Sequence, residues 1–537
     1  MALARTQAVA VLGIEGHLVE VEADLANGLP RLTLVGLPDA ALHEARDRIR
    51  AAVVNSGERW PDRRITIGLF PATLPKAGSG FDLAMAIAVL GAASMVPQDA
   101  LYDRVFIGEL ALDGRVRAVR GVLPAVLRAM AAGIERVVVP VANAAEAALV
   151  PGARVEPAEN LAGVLAVLRG TALAPPGLAG TASEYTAVSR PSAAGAASEY
   201  TAVSRPSAAG TASEYAAGDL AEVAGQSRGR LAVEVAAAGG HHLYLQGPPG
   251  SGKTMLAERL PGLLPELDRE ASLEVTAVHS VAGQLPGDRP LITRPPYRDP
   301  HHSATPAALI GSGTAVIRPG LASQAHHGIL FLDEAPEFAR QSLDALRQPL
   351  ESGTIEIARA RATARYPARF QLVLAANPCP CAKSQGSRST ACECPSLVRR
   401  RYLARLSGPL LDRIDIQVAL SVPSRAELRA DAGRCESTES VAARVLRARR
   451  RAAARLAQSP WRANAQVPGP VLRRVWPLPR TVAAPAERAL EQGLLTLRGL
   501  DRVLRLAWTF ADLADREEPG PDQVGAALDL RLPGWAM

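Results

Sequence analysis

The stretch GPPGSGKT fits the pattern G-x-x-x-x-G-K-[ST] in full, with Gly247, Pro248, Pro249, Gly250, Ser251, Gly252, Lys253 and Thr254 in its eight places. An apolar run, HLYLQ, precedes it and a helix-like run, MLAERL, follows, which is the setting a phosphate-binding loop needs. Gly250 and Gly252 let the backbone turn its N–H groups toward nucleotide phosphates, and the helix N-terminus adds positive field. Lys253 supplies a compact charge that fits inside the loop, where a guanidinium fork would not, and Thr254 supplies a hydroxyl for Mg²⁺. The chain has only three lysines, Lys76, Lys253 and Lys383, so its charge chemistry elsewhere is that of arginine. A second run, GILFLDE, is an apolar strand ending in two acids. Asp333 is placed to hold the Mg²⁺ shell and Glu334 to polarise the attacking water. Alone this pair reads as an acidic strand end; downstream of a phosphate loop it reads as hydrolytic. Asn377 ends the next strand, RFQLVLAAN, as a polar tip that can orient the water. Arg413 stands in the turn of GPLLDRIDI, and Arg498 lies in the helical TLRGLDRVLRLA. Either can reach a γ-phosphate, Arg413 that of a neighbouring subunit, and either taken alone also fits a solvated or structural role.

Four of the five cysteines crowd into one loop, AANPCPCAKSQGSRSTACECPS. Cys379, Cys381, Cys392 and Cys394 have the spacing C-x-C, ten residues, C-x-C. A Cys₄ zinc clip would tie down a polar loop that has no core of its own. Labile disulfides or free thiols are the alternative, and Cys435 is a bystander. Six of the nine histidines come as pairs, His241/His242, His301/His302 and His326/His327. None has the i,i+4 spacing of a metal pair on one helix face, so loop packing and backbone hydrogen bonding are expected.

These residues need a scaffold. Residues 1–170 alternate strand-like runs (RLTLVGL, RRITIGLF, RVFIGEL, RVVVPV) with helix-like ones, which predicts an α/β domain. Residues 171–218 differ: TASEYTAVSRPSAAG at 181–195 recurs as AASEYTAVSRPSAAG at 196–210, and a third copy begins at 211. With small residues and almost no large aliphatics this unit cannot bury a core, and it reads as a duplicated linker. Residues 219–424 return to α/β, with strands at HLYLQG, GILFLDE, RFQLVLAAN and RIDIQVAL. Residues 425–537 turn helical, beginning with the basic SVAARVLRARRRAAARLAQ. Trp508 and Phe510 sit among aliphatics at helical spacing and read as core.

Phosphate loop, acidic strand, polar strand tip, turn arginine and helical lid together look like an AAA+ ATPase. The resemblance narrows with DLAEVAGQ, LEVTAVHSVAG, RDPHHSATPAALIGSG, HHGILFLDEAPEF and AANPCPC. These resemble the magnesium-chelatase-like ATPases of the ComM/YifB type over nearly the whole chain, the repeated linker excepted. The resemblance implies an AAA+ P-loop α/β core with a C-terminal helical lid, and a homo-oligomeric ring, usually a hexamer, with ATP between subunits. It implies ATP-driven branch migration or helicase action on DNA during recombination, linked to competence. By motif position it makes Asn377 sensor 1, Arg413 the arginine finger and Arg498 sensor 2. Trp508 stands where the family pattern has arginine, which keeps Arg502 as the alternative for that role. PKAGSGFDLAMAIAVL and GELALDGRVRAVRGVLPAV resemble the Lon-type proteolytic domain, whose catalysis uses a Ser–Lys pair. The nucleophile position falls at Gly80, beside Ser79, and the lysine position near Leu123, with no lysine between Lys76 and Lys253. An inactive Lon-protease-like N-terminal domain is therefore expected.

At 537 residues the chain has room for two to four domains, and 48% hydrophobic with 21% charged residues is the balance of a globular protein. The net charge of +7 permits a DNA partner without requiring one. The most apolar stretch, Leu83 to Pro97, is shorter than the roughly 20 residues of a membrane span. Glu15, Glu20 and Glu22 interrupt any signal-like core, so the reducing cytoplasm is the expected compartment. The rival functions are a chelatase motor inserting Mg²⁺ into a porphyrin and a protease or protein-remodelling machine.

Overall fold

The computed structural model describes residues 2–36, 40–76, 78–172, 178–179, 218–286, 290–313, 317–359, 362–381 and 392–532. The duplicated repeat lies outside the described residues.

The N-terminal region opens with a hairpin not read from the sequence. Strands Ala2–Leu12 and Glu15–Ala26 pair antiparallel from Ala2↔Leu25 to Leu12↔Glu15. Period-2 alternation produces it: Val19, Val21, Ala23 and Leu25 are buried, while Glu20, Glu22 and Asp24 point to the other face. The hairpin is the middle of an eight-stranded mixed sheet that includes the expected strands Arg31–Val35, Arg64–Phe70, Arg104–Phe106 and Arg136–Pro140. Helix Asp82–Ala92 packs on this sheet with every residue buried, which explains its apolar composition without a membrane. Among the described residues no helix is long and apolar enough to cross a membrane.

The second region is a five-stranded sheet in the order Tyr297–Arg298, Ile329–Leu332, Gln371–Ala376, Leu243–Gln246, Ile416–Ala419. All its pairings are parallel. Its central strands are buried on both faces, so they read as continuous apolar runs. This all-parallel order is consistent with the expected P-loop AAA+ type of domain, and such sheets bind ligands beyond the strand C-termini. Two small hairpins decorate it, Gly311–Ser312 with Arg318–Pro319 and Thr354–Arg359 with Ala362–Pro367. Neither was expected, because two-residue strands and an Arg/Ala-rich ribbon carry little hydrophobic pattern.

Helices Thr438–Arg455, Gly469–Val475, Arg480–Glu491, Leu497–Leu513 and Pro521–Arg531 form the C-terminal part. They share one hydrophobic core with helix Ser227–Gly239 and the strands: Val441, Val445, Val503 and Trp508 lie in the same cluster as Val233 and Leu243. The N-terminal region docks on the sheet region through helix Arg269–Ala282, whose Leu273 and Ala277 pack with Val122 and Val126. Buried Glu146 accepts hydrogen bonds from the Ser280 hydroxyl and, at 2.8 Å, from the Leu123 amide.

Candidate nucleotide site

Strand Leu243–Gln246 hands the chain to the glycine-rich loop, and helix Lys253–Leu263 takes it up again. Gly250 and Gly252 hold φ of 76° and 80°, the left-handed region that glycine enters without a Cβ penalty. The Gly247 amide donates to the Ala376 carbonyl at 3.0 Å, which joins the loop to the neighbouring strand end. Gln226 braces the loop from below, donating to the carbonyls of Ser251 at 2.9 Å and Ser421 at 2.7 Å. Gln226 ends the segment DLAEVAGQ that carries part of the resemblance, but its residue type alone gave it no role at the loop.

Lys253 Nζ donates to the Gly247 carbonyl at 2.8 Å, the Pro248 carbonyl at 3.0 Å and Asn377 Oδ1 at 3.0 Å. Burial lowers its pKa, against the opposing pull of Asp333 and Glu334. Thr254 Oγ1 donates to Asp333 Oδ2 at 2.8 Å, and the Glu334 amide donates to Asp333 Oδ1 at 2.8 Å. The side chains read as loop lysine, loop hydroxyl, acid pair and strand-tip amide thus meet at the C-terminal ends of three adjacent strands. Glu334 is exposed and holds φ 48° and ψ 42°, a left-handed conformation that is uncommon for a non-glycine residue. His302 Nδ1 lies 3.6 Å from Glu334 Oε2. The sheet register explains this: Arg298 pairs with Leu330, and each of the two side chains stands four residues further on. The sequence showed the histidine but not this neighbour.

Arg413 does not reach the phosphate loop of its own chain. Its guanidinium donates to Glu351 and to the Pro409 carbonyl. Arg498 is exposed in the first turn of helix Leu497–Leu513, with no hydrogen bond or ion pair to the phosphate loop among the described residues. Arg502 is engaged elsewhere, donating to buried Asp415 at 2.8 Å. Asp415 precedes strand Ile416–Ala419, at the sheet end opposite the phosphate loop.

The cysteine loop converges. Cys379 Sγ lies 3.1 Å from Cys381 Sγ and 3.2 Å from Cys392 Sγ, and Cys381 lies 3.5 Å from Cys392. All four sulfurs, Cys394 included, fall within 4.8 Å of one another, and no disulfide joins them. Burial and the neighbouring thiols push Cys379 up to about 12. The helix that follows, Ser396–Leu403, exposes Arg399, Arg400 and Arg401, a basic cluster that sequence reasoning passed over.

The basic helix Thr438–Arg455 divides its arginines: Arg447 and Arg450 are exposed, while others turn to partners within the chain. Arg449 donates to the Ala237 carbonyl at 2.7 Å, Arg444 pairs with Glu234 and Glu436, and Arg451 pairs with Asp515. Its apolar stripe faces helix Ser227–Gly239, so arginines flanking that stripe find acids and carbonyls first. Trp508 is buried as expected, with the Arg455 guanidinium 4.4 Å from its ring centre.

The histidine pairs act within the fold. His241 sits between Asp415 at 3.2 Å and Thr509 at 2.7 Å, and His242 Nδ1 accepts from the Leu372 amide. His326 and His327 reach Glu274 at 3.0 and 3.1 Å. His326 Nδ1 accepts the Arg369 amide, so neutral His326 carries its proton on Nε2 and offers no lone pair to a metal there. In the N-terminal region Ser79 donates to Glu109, and Leu123 is fully buried in the apolar core. Buried Lys76 donates to the Pro71 carbonyl.

Comparison with known proteins agrees with this geometry. Residues 219–428 match the family described as magnesium chelatase, subunit ChlI, residues 21–143 match subunit ChlI of Mg-chelatase, and residues 435–531 match the ChlI C-terminal family. An uncharacterized protein of Mycobacterium tuberculosis is 52% identical over 536 residues, 99% of each chain. The YifB protein of Escherichia coli is 39% identical over 96% of this chain and 94% of its own. The competence protein ComM of Haemophilus influenzae is 38% identical over 99% and 98%. A local similarity of 29% over 145 residues, 26% of this chain and 18% of the relative, links it to the Lon protease of Rhizobium meliloti. Likeness of this extent, over nearly the full length of several relatives, shows that the chain belongs to the magnesium-chelatase-like family of the ComM/YifB type.

Proposed function

We propose that this protein is a ring-forming AAA+ ATPase that couples hydrolysis of MgATP to the remodelling of DNA, as branch migration or helicase action in recombination or natural transformation. The carrying observation is the meeting of Lys253, Thr254, Asp333, Glu334 and Asn377 at one end of the parallel sheet. Gly247, Pro248, Pro249, Gly250, Ser251 and Gly252 form the cradle, and the loop amides and Lys253 bind the phosphates. Thr254 and Asp333, already 2.8 Å apart, would hold the Mg²⁺, which when bound neutralises phosphate charge. Glu334 takes the proton of the attacking water, and Asn377 holds that water in line. Arg413 acts on the nucleotide of a neighbouring copy, and Arg498 is the sensor 2 residue of the lid. We assign the N-terminal 1–170 as a Lon-like domain without protease activity, since buried Leu123 stands where an amine is needed. Cys379, Cys381, Cys392 and Cys394 would hold one Zn²⁺, for which their convergence and lack of disulfides are suitable.

The DNA substrate rests on the competence role in the name of one full-length relative and on the exposed Arg399–Arg401 cluster. A magnesium-chelatase-type or protein-remodelling motor is the second reading, favoured by the chelatase descriptions of all three matched families. ATPase rates of the full chain with forked DNA, four-way junctions, casein and porphyrin separate them. Stimulation by branched DNA, with strand remodelling only under hydrolysis, is expected. No DNA binding at low salt by an ATP-bound ring would refute the DNA reading.

A further inference from the structure

The two residues that follow Arg413 are gripped by the C-terminal helices. Arg531, the last residue of helix Pro521–Arg531, donates from Nη1 to the Ile414 carbonyl. Arg502, in helix Leu497–Leu513, donates from Nη1 to Asp415 Oδ1 at 2.8 Å. The other carboxylate oxygen of Asp415 lies 3.2 Å from His241 Nδ1. His241 Nε2 in turn lies 2.7 Å from Thr509 Oγ1, about two turns further along the same helix. Asp415 and His241 have no solvent exposure. Burial alone would raise the Asp415 carboxyl, yet Arg502, His241 and Arg505 outweigh it and hold it far below the usual carboxylate range. The turn itself is short and hydrogen-bonded: the Arg413 amide donates to Leu410 at 3.0 Å, that of Ile414 to Leu411 at 3.1 Å, and that of Asp415 to His242 at 3.2 Å.

One buried and one part-buried arginine contact on adjacent residues are a costly way to attach helices. Apolar side chains of similar volume fix packed elements at least as well, and the lid already shares a continuous core with the sheet. What directional contacts add is a defined position for the segment they hold. That segment carries Arg413, whose backbone is one residue from the Ile414 carbonyl and two from the Asp415 carboxylate. We infer that Arg502, Asp415 and Arg531 are positioning residues for Arg413: the lid sets how the arginine is presented to the next copy's nucleotide. The inference rests on the proposed action of Arg413 in trans. It also assigns Arg502 a role away from its own phosphate loop.

The test uses assembled full-length protein with Asp415→Asn, Arg502→Ala, Arg502→Lys, Arg531→Met and Arg413→Ala, singly and combined. Asp415→Asn keeps the shape but loses the charge. Its kcat is expected to fall about tenfold or more, with KM and ATPγS affinity within about twofold of wild type. Added to Arg413→Ala it should cost nothing further, because a misplaced side chain that is already absent cannot be lost again. Arg502→Lys, which retains the charge, should restore part of the rate relative to Arg502→Ala. Hydrogen exchange at residues 411–415 should rise in Asp415→Asn. Should that variant not fold, Arg531→Met removes the donor to the Ile414 carbonyl and carries the same expectation. An unchanged kcat with only a lowered Tm, or a rate loss that multiplies with that of Arg413→Ala, would overturn the positioning role. A wild-type kcat in Arg413→Ala itself would overturn the in-trans reading and the clamp with it, and that single variant identifies this outcome.

Discussion

Lys253 spreads its ammonium protons over two loop carbonyls and Asn377, and nucleotide phosphates would compete for them. Charge-assisted contacts of this kind contribute about 1.5–3 kcal/mol each, so Lys253→Ala should weaken ATP binding by about 100-fold or more in equilibrium titration. Glu334→Gln should behave differently. Thr254, Asp333 and the loop remain, so ATP binding persists, while turnover falls by about 100-fold or more as the water loses its base. Wild-type turnover in that variant would remove Glu334 from the mechanism. At this scale the sequence was nearly sufficient for the loop and the acids, because residue type and local spacing specify them. It could not show that His302 stands beside Glu334, since that proximity comes from the pairing of two strands about thirty residues apart in the chain.

Elements decide which charged residues are available. The loop from Cys379 to Cys394 begins two residues after Asn377 and ends two residues before helix Ser396–Leu403. A zinc clip there would fix the site's strand tip and the exposed basic helix that follows it at once. Purified protein should carry about one Zn²⁺ per chain by elemental analysis, Cys392→Ser should lose it, and Cys435→Ser should keep it. Metal-free protein with four freely titrating loop thiols would eliminate the clip. In the helix Thr438–Arg455, by contrast, Arg444, Arg449 and Arg451 are occupied within the chain and only arginines such as Arg447 and Arg450 stay exposed. Under the proposed DNA role, salt-dependent contacts are expected from Arg399, Arg400 and Arg401, whose side chains remain exposed.

At the scale of the whole molecule, the proposed action of Arg413 in trans makes the site one shared between copies. Arg413 is paired with Glu351 and has no contact with its own phosphate loop. Arg413→Ala subunits should therefore bind ATP normally yet depress the ATPase rate of mixed assemblies below the value expected from simple dilution. A rate that falls only in proportion to the wild-type fraction would argue against a shared site. The N-terminal region is joined to the sheet region through helix Arg269–Ala282, by the Glu146–Ser280 contact and by Leu273 and Ala277 against Val122 and Val126. Ser79→Ala should leave ATPase and DNA activities unchanged, because its hydroxyl faces Glu109 and no amine occupies the Leu123 position. Casein degradation abolished by that substitution would restore the protease reading.

The sequence alone determined the phosphate loop, the acid pair, the alternation of strands and helices and the closeness of four cysteines along the chain. Each of these depends on residues within a few positions of one another, where periodicity and turn chemistry act directly. The opening hairpin was equally local in its alternation, yet its meaning depended on a partner sheet that the sequence does not display. Only the tertiary structure decided which arginines face solvent, that Asn377 reaches Lys253 across the loop, and that Arg502 turns to Asp415. Those outcomes follow from strand order and helix packing, which bring together residues 87, 124 and 212 positions apart and let a nearby buried acid or carbonyl claim a guanidinium before solvent or a partner can.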